Sequence, residues 1–155
     1  MKTIKKITAS VLGAAILASF TACGENTAIV ANYGGHDVSA GMFIHNQYAA
    51  YTELQTDPEN KEGVDVWAMT KDGMSAEEYI NSYAKEECVK YLAIVTKFDE
   101  LGLEWSSIDQ EALESDAEYF YERDGYTDLY KENNIGVVSV QKMLELYDKE
   151  DKIFE

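Results

Sequence analysis

A mainly α-helical fold behind a short N-terminal β-hairpin is what this sequence predicts, and three stretches carry the reading. Ile29 to Tyr33 and His36-Asp37-Val38 flank a Gly34-Gly35 pair, the arrangement of two short strands joined by a tight turn whose residues need positive φ. Ser39 then precedes Phe43, Gln47, Tyr48, Tyr51 and Leu54, which recur at helical spacing. Further on, Ser75-Ala76-Glu77-Glu78 opens a stripe of Ile80, Ala84, Cys88, Tyr91, Val95 and Phe98 that closes at Gly102. In such a capping box the serine and the glutamate each satisfy a backbone amide that the first helical turn leaves unpaired.

Taken in order, the elements are a strand over 28–33, a glycine turn, and a second strand from His36 to Val38. With Ser39 as N-cap, the first helix is predicted from Ala40 to Gln55. Thr56 to Gly73 contains Pro58, two glycines and mixed charge around Val64, Val66, Trp67 and Met69, so it reads as a long loop with a tucked-in apolar segment. The longest helix, near 76–101, spans roughly 39 Å at 1.5 Å per residue and forms the spine. A third helix is expected after Ser107, through Leu113, Ala117 and Phe120, until Asp124-Gly125 breaks it near Arg123. A short fourth covers Asp128 to Asn133. Asn134 and Gly136 turn the chain, Ser139 is read as the cap of a last helix, and Val140, Met143, Leu144, Tyr147 and Phe154 mark its apolar side. The hairpin is thus followed by four or five helices in one domain over 28–155. Because the last helix reaches Glu155 without a C-cap, the domain is expected to be incomplete at its C-terminal end.

Ahead of this domain, Lys2, Lys5 and Lys6 precede an apolar run from Ile7 to Phe20, followed by Thr21-Ala22-Cys23-Gly24. A membrane-spanning helix needs about 20 apolar residues, so residues 1–22 read as a cleaved secretory signal. The residues around the cut resemble the bacterial lipoprotein pattern, with Phe20 where Leu is usual, and Cys23 is the candidate acylated residue at the head of a tether over 23–27. An ordinary secretory cut after Gly24 is the alternative. Acyl chains such as palmitate add about 0.8 kcal/mol per buried methylene, enough in combination to hold a soluble domain at a bilayer. The expected location is the extracytoplasmic face of the cell membrane.

Loss of the leader removes three lysines and no acid, so the net charge of −16 becomes −19. That charge disfavours nucleic acid and any electrostatic grip on anionic lipid. A hydrophobic content of 46% argues against disorder and for a real core. With Cys23 acylated, Cys88 has no partner for a disulfide and is read as a small buried hydrophobe.

Few residues offer chemistry. His36 and His45 lack the spacing of a zinc site and read as surface or hydrogen-bonded structural histidines. The acidic run from Asp57 to Asp65 fails as a calcium loop, since Lys61 stands at a ligand position and Glu62 where glycine is needed. Glu77 with Glu78, and Glu86 with Glu87, are consecutive on a helix and diverge, unlike a glycosidase pair. No catalytic residue, metal site or cofactor is therefore predicted. Eleven tyrosines are the remaining peculiarity. Tyr48 with Tyr51, Tyr79 with Tyr83, and Tyr126 with Tyr130 each share a helix face. Such rings either cap the edges of the core, with the hydroxyl outside, or line a groove that accepts extended polypeptide. On the second reading Tyr48, Tyr51, Trp67, Tyr79 and Tyr83 are the candidate contact residues.

The order of parts carries a resemblance. The lipoprotein signal, Ile29-Val30-Ala31-Asn32-Tyr33 with Gly34-Gly35, Val38-Ser39-Ala40-Gly41-Met42-Phe43, the capped helix ending Lys97-Phe98-Asp99-Glu100-Leu101-Gly102-Leu103, and Tyr130-Lys131-Glu132-Asn133-Asn134-Ile135 with Ser139 are similar to the N-terminal region of SurA-like and PrsA-like extracytoplasmic foldase lipoproteins. The resemblance implies a helical chaperone module that holds unfolded exported polypeptides. Relatives of that kind continue into a parvulin-type prolyl isomerase domain, and no isomerase active-site residue can be matched here. Two alternatives stand beside it. One is a surface lipoprotein that binds a small solute or cell-wall component, with the loop 56–73 over a pocket. The other is the N-terminal part of a peptidyl-prolyl isomerase whose catalytic domain lies further along.

Overall fold

The computed structural model describes residues 28–57, 65–123 and 126–154, apart from the side chains of Ser107 and Ile108. The predicted leader, Cys23, the tether and most of the acidic loop lie outside that range. Strands β1 (Ile29–Tyr33) and β2 (His36–Ser39) form an antiparallel hairpin, with Tyr33 paired to His36 across the turn. Gly34 and Gly35 hold φ of 62° and 86°, the left-handed values that a two-residue hairpin turn requires. Gly34 has a second constraint. A Cβ there would stand 2.5 Å from Thr96 Oγ1, so the turn rests directly on the long helix. His36 Nε2 lies 2.9 Å from Asp99 Oδ2 on that helix, and Lys142 Nζ donates to the Asp37 carbonyl at 3.0 Å from the last one. The hairpin is thereby clamped from two sides.

Helix α1 (Ala40–Thr56) starts at Ser39, whose Oγ accepts from the Met42 amide. A single 3₁₀ turn over Val66–Ala68 follows, capped by Asp65, whose carboxylate accepts from the Trp67 amide at 3.1 Å. Val66 is the buried anchor of the tucked-in segment. The loop then contains a feature not expected from the sequence, a miniature hairpin of β3 (Thr70–Lys71) and β4 (Met74–Ser75). Asp72 and Gly73 both adopt positive φ at its tip, so a hydrogen-bonded turn delivers the chain to the next N-cap.

Helix α2 (Ala76–Glu100) has the capping box that Ser75 and Glu78 predict, and every residue of the expected stripe from Ile80 to Phe98 is buried. Helix α3 (Ser107–Glu122) is capped one residue earlier than expected. Ser106 Oγ accepts from the Asp109 amide, and Asp109 reaches back to the Ser106 amide at 3.0 Å. Lys152 Nζ also contacts Asp109 at 2.8 Å, and these two partners, Lys152 foremost, hold the Asp109 carboxyl down at about 2. Helix α4 (Thr127–Glu132) is short, and α5 (Val137–Phe154) ends the described chain.

Ser139 is not a cap. It lies inside α5, 1% exposed, with its Oγ 2.9 Å from Ser39 Oγ. The cap position of α1 is thus tied to the start of α5 through two buried hydroxyls that satisfy each other. The apolar face of α5 is also rotated from the expected one. Val140 and Leu146 are buried and Met143 and Leu144 partly so, but Tyr147 and Phe154 are 56% and 79% exposed. Lys149 takes the place on the inner face, its ammonium 2.7 Å from Glu145 and 4.8 Å above the Phe98 ring. A charge of this kind is tolerated inside when it is paired and roofed by aromatic faces.

Three packed clusters make the core. Val38, Met42, Cys88, Tyr91, Val95 and Leu146 join the hairpin to α1, α2 and α5. Ala50, Leu54, Val66 and Ile80 join α1 to the 3₁₀ turn and α2. Ala117, Leu129, Tyr130, Ile135 and Val140 join α3, α4 and α5. Among the described residues no helix is long and apolar enough to cross a membrane.

Candidate aromatic groove

The i, i+3 spacing of His45, Tyr48 and Tyr51 keeps the three rings adjacent along one side of α1. Tyr51 meets Trp67 of the 3₁₀ turn at 5.7 Å between ring centroids, and Tyr48 lies 6.4 Å from Tyr51. On the other side Tyr48 meets Tyr126 edge-on at 6.1 Å. Tyr126, Tyr130 and His45 form a triangle of near-parallel rings with centroids 5.8 to 5.9 Å apart. Tyr130 then stacks on Tyr121 at 5.4 Å. One unbroken path of rings therefore runs from Trp67, which is 48% exposed, to Tyr121, and draws on α1, α3, α4 and the 3₁₀ turn.

Beside the triangle lies a cavity of about 200 Å³, lined by His45, Tyr91, Phe120, Tyr126, Tyr130 and Met143 among others, with Glu87 and Arg123 at its polar edge. The Arg123 guanidinium sits 5.8 Å from the Phe120 ring. An apolar cavity of roughly 150 Å³ already accepts a benzene-sized group, so this one has room for a single ring or branched side chain. His45 Nδ1 lies 3.3 Å from the Tyr130 hydroxyl. Burial lowers the imidazole to about 4 and pushes the Tyr130 phenol up, so at neutral pH the wall carries uncharged rings.

The five candidate contact residues are divided by the fold. Tyr48, Tyr51 and Trp67 stand together in the ring path. Tyr79 is 9% exposed and built into the second core cluster, its hydroxyl donating to Glu53 at 2.9 Å. Burial raises that phenol to about 12, with the Glu53 bond acting in the same direction. Tyr83 is partly buried 6.3 Å from Tyr79. Those two present little surface to a partner. Sequence reading did not place His45, Tyr121, Tyr126 and Tyr130 in the group, and only the 126/130 pairing hinted at it. Cys88 is 5% exposed, and burial lifts its thiol to about 11, which makes it a packing residue at neutral pH. Compared with protein-family models, curated proteins and solved structures, the chain matches none.

Proposed function

We propose that this chain is an extracytoplasmic lipoprotein, tied to the outer face of the cell membrane through Cys23, whose aromatic groove holds unfolded exported polypeptides. The observation that carries the reading is the row of exposed and half-buried rings Trp67, Tyr51, Tyr48 and Tyr126, backed by the buried Tyr130, with a ring-sized cavity alongside. Unfolded chains present apolar side chains along an extended backbone. A row of amphipathic rings meets them with large contact area and little rotamer entropy to lose, and does so without specifying a sequence. The similarity in part order to the helical region of SurA-like and PrsA-like foldases supports the same role.

Two experiments test the two halves of the proposal. The purified chain, at stoichiometric excess, is expected to suppress light scattering by a reduced model substrate. A triple variant, Tyr48→Ser, Tyr51→Ser and Trp67→Ser, is expected to lose most of that effect while keeping its helical circular dichroism. Wild-type protein without effect at excess contradicts the holding role. For the anchor, Cys23→Ser is expected to move the protein from the membrane to the soluble fraction, and unchanged partitioning contradicts acylation.

A further inference from the structure

The groove rings differ from the protein's other aromatics in what stands over them. Four lysine and arginine side chains lie 4.8 to 5.9 Å from ring centroids elsewhere, Lys71 over Tyr79 and Lys149 over Phe98 and Trp105 among them. Among the described residues no lysine or arginine is placed over Trp67, Tyr51, Tyr48 or Tyr126. The two ends of the row are also unlike in charge. At the Tyr126 end, Arg123 is already laid 5.8 Å from the Phe120 ring, and its carbonyl accepts from the Tyr126 amide. At the Trp67 end, Asp65 is exposed with its carboxylate on the Trp67 amide, and Lys71 is gripped by both Glu53 and Asp57. Three carboxylates against one ammonium leave that end with negative charge in excess.

Resting on the holding role above, we propose that the Trp67 and Tyr51 end of the groove is a seat for a lysine or arginine side chain, so that the polypeptides held are basic segments carrying both cationic and apolar residues. The face of an indole or phenol ring has negative potential that attracts a cation, and the attraction grows where water is partly excluded. Trp67 and Tyr51 offer two such rings with centroids 5.7 Å apart, within reach of one guanidinium. Asp65 adds a full charge beside them, and its hydrogen bond to the Trp67 amide keeps that charge in place. An apolar side chain further along the same extended segment meets the cavity beside Tyr126. The net charge of −16 acts in the same direction at longer range, since it concentrates basic chains near the surface and repels acidic ones.

The test uses three disordered, fluorescently labelled peptides that share the same apolar residues and carry lysine, glutamine or glutamate at every other position. By fluorescence anisotropy at about 0.02 M salt, the purified chain is expected to bind the lysine peptide at least about fivefold more tightly than the glutamine peptide, and the glutamate peptide most weakly. Raising the salt to about 0.5 M is expected to close most of that gap. Asp65→Asn, which retains an oxygen to cap the turn, and Trp67→Leu are each expected to reduce the lysine preference by about twofold or more. The 3₁₀ turn packs on the start of α2, so Glu104→Gln removes the same single charge beyond the far end of that helix. It is expected to leave the preference intact, with helical circular dichroism as the control for folding. Equal affinity for the three peptides, tighter binding of the glutamate peptide, an undiminished preference in Trp67→Leu, or an equal loss in Asp65→Asn and Glu104→Gln would each overturn the proposal and leave the holding role standing. Absence of binding by all three at up to about 1 mM would contradict the holding role itself, and this seat with it.

Discussion

Met42→Ala is expected to destabilise the protein by about 2–5 kcal/mol, toward the upper part of that range. Met42 is 1% exposed, packs with Val38, Cys88, Val95 and Leu146, and also borders the 200 Å³ cavity. Truncation would join the new void to a space that already exists, between the hairpin and three helices that pack on one another, so neighbours cannot readily collapse into it. The cost of deleting buried methylenes rises with the volume left empty, and partial relaxation is what normally limits it. Urea titration should show the midpoint fall with an unchanged slope, the mark of lost stability without a change in the surface exposed. Met42→Leu, which preserves volume, is expected to cost less than about 1.5 kcal/mol. Similar midpoints for Ala and Leu would mean that the side chain is not held as described.

Acidification should remove about 3 kcal/mol through His45 alone. The folded imidazole titrates at about 4 because burial among rings disfavours its charged form, while the unfolded side chain titrates at its ordinary 6.5. Between those values the unfolded state binds a proton that the folded state does not, so stability falls as the pH drops from 6.5 to 4 and levels off below. His45→Phe keeps a ring against Tyr126 and Tyr130 and removes the titration. The wild-type minus variant difference in stability, measured by urea unfolding at pH 7, 5.5 and 4, should decline through that window. Asp109 acts lower, since its stabilising pairs are lost only as the pH falls below the usual carboxylate range toward about 2. A difference that stays flat from pH 7 to 4 would place His45 in water rather than in the ring triangle.

Features governed by neighbours in sequence were legible from the chain alone. Gly34-Gly35 and the Ser75 capping box are local devices, and the long stripe of α2 repeats often enough to define a face. The Asp72-Gly73 pair carried a turn signal of the same local kind, but strands of two residues leave no alternation to confirm it. Ser139 was misread because a serine after a turn looks like a cap, and its real partner, Ser39, is 100 residues away. The inner face of α5 was rotated for a related reason. Nothing in the heptad around Lys149 reveals that Phe98 and Trp105 will cover its ammonium, while Tyr147 and Phe154 look apolar and face water. Of the candidate groove, Tyr48 and Tyr51 were visible as a pair on one helix face, and Trp67 only as part of an apolar loop segment expected to tuck in, whereas its ring is 48% exposed. The triangle of His45, Tyr126 and Tyr130 was not, because it forms only when α4 folds onto α1.

Crosslinking to a permanently unfolded polypeptide tests the holding role at the groove most directly. A photoreactive benzophenone side chain placed at Tyr51, in the ring path, or at Tyr33, 63% exposed on the hairpin, would be activated with a reduced, carboxymethylated model protein present. Strong adducts from Tyr51 and only background from Tyr33, with the Tyr51 signal competed by unlabelled polypeptide, is the predicted result. Equal yields from the two positions, or none from Tyr51, would contradict the groove as the place where unfolded chains are held.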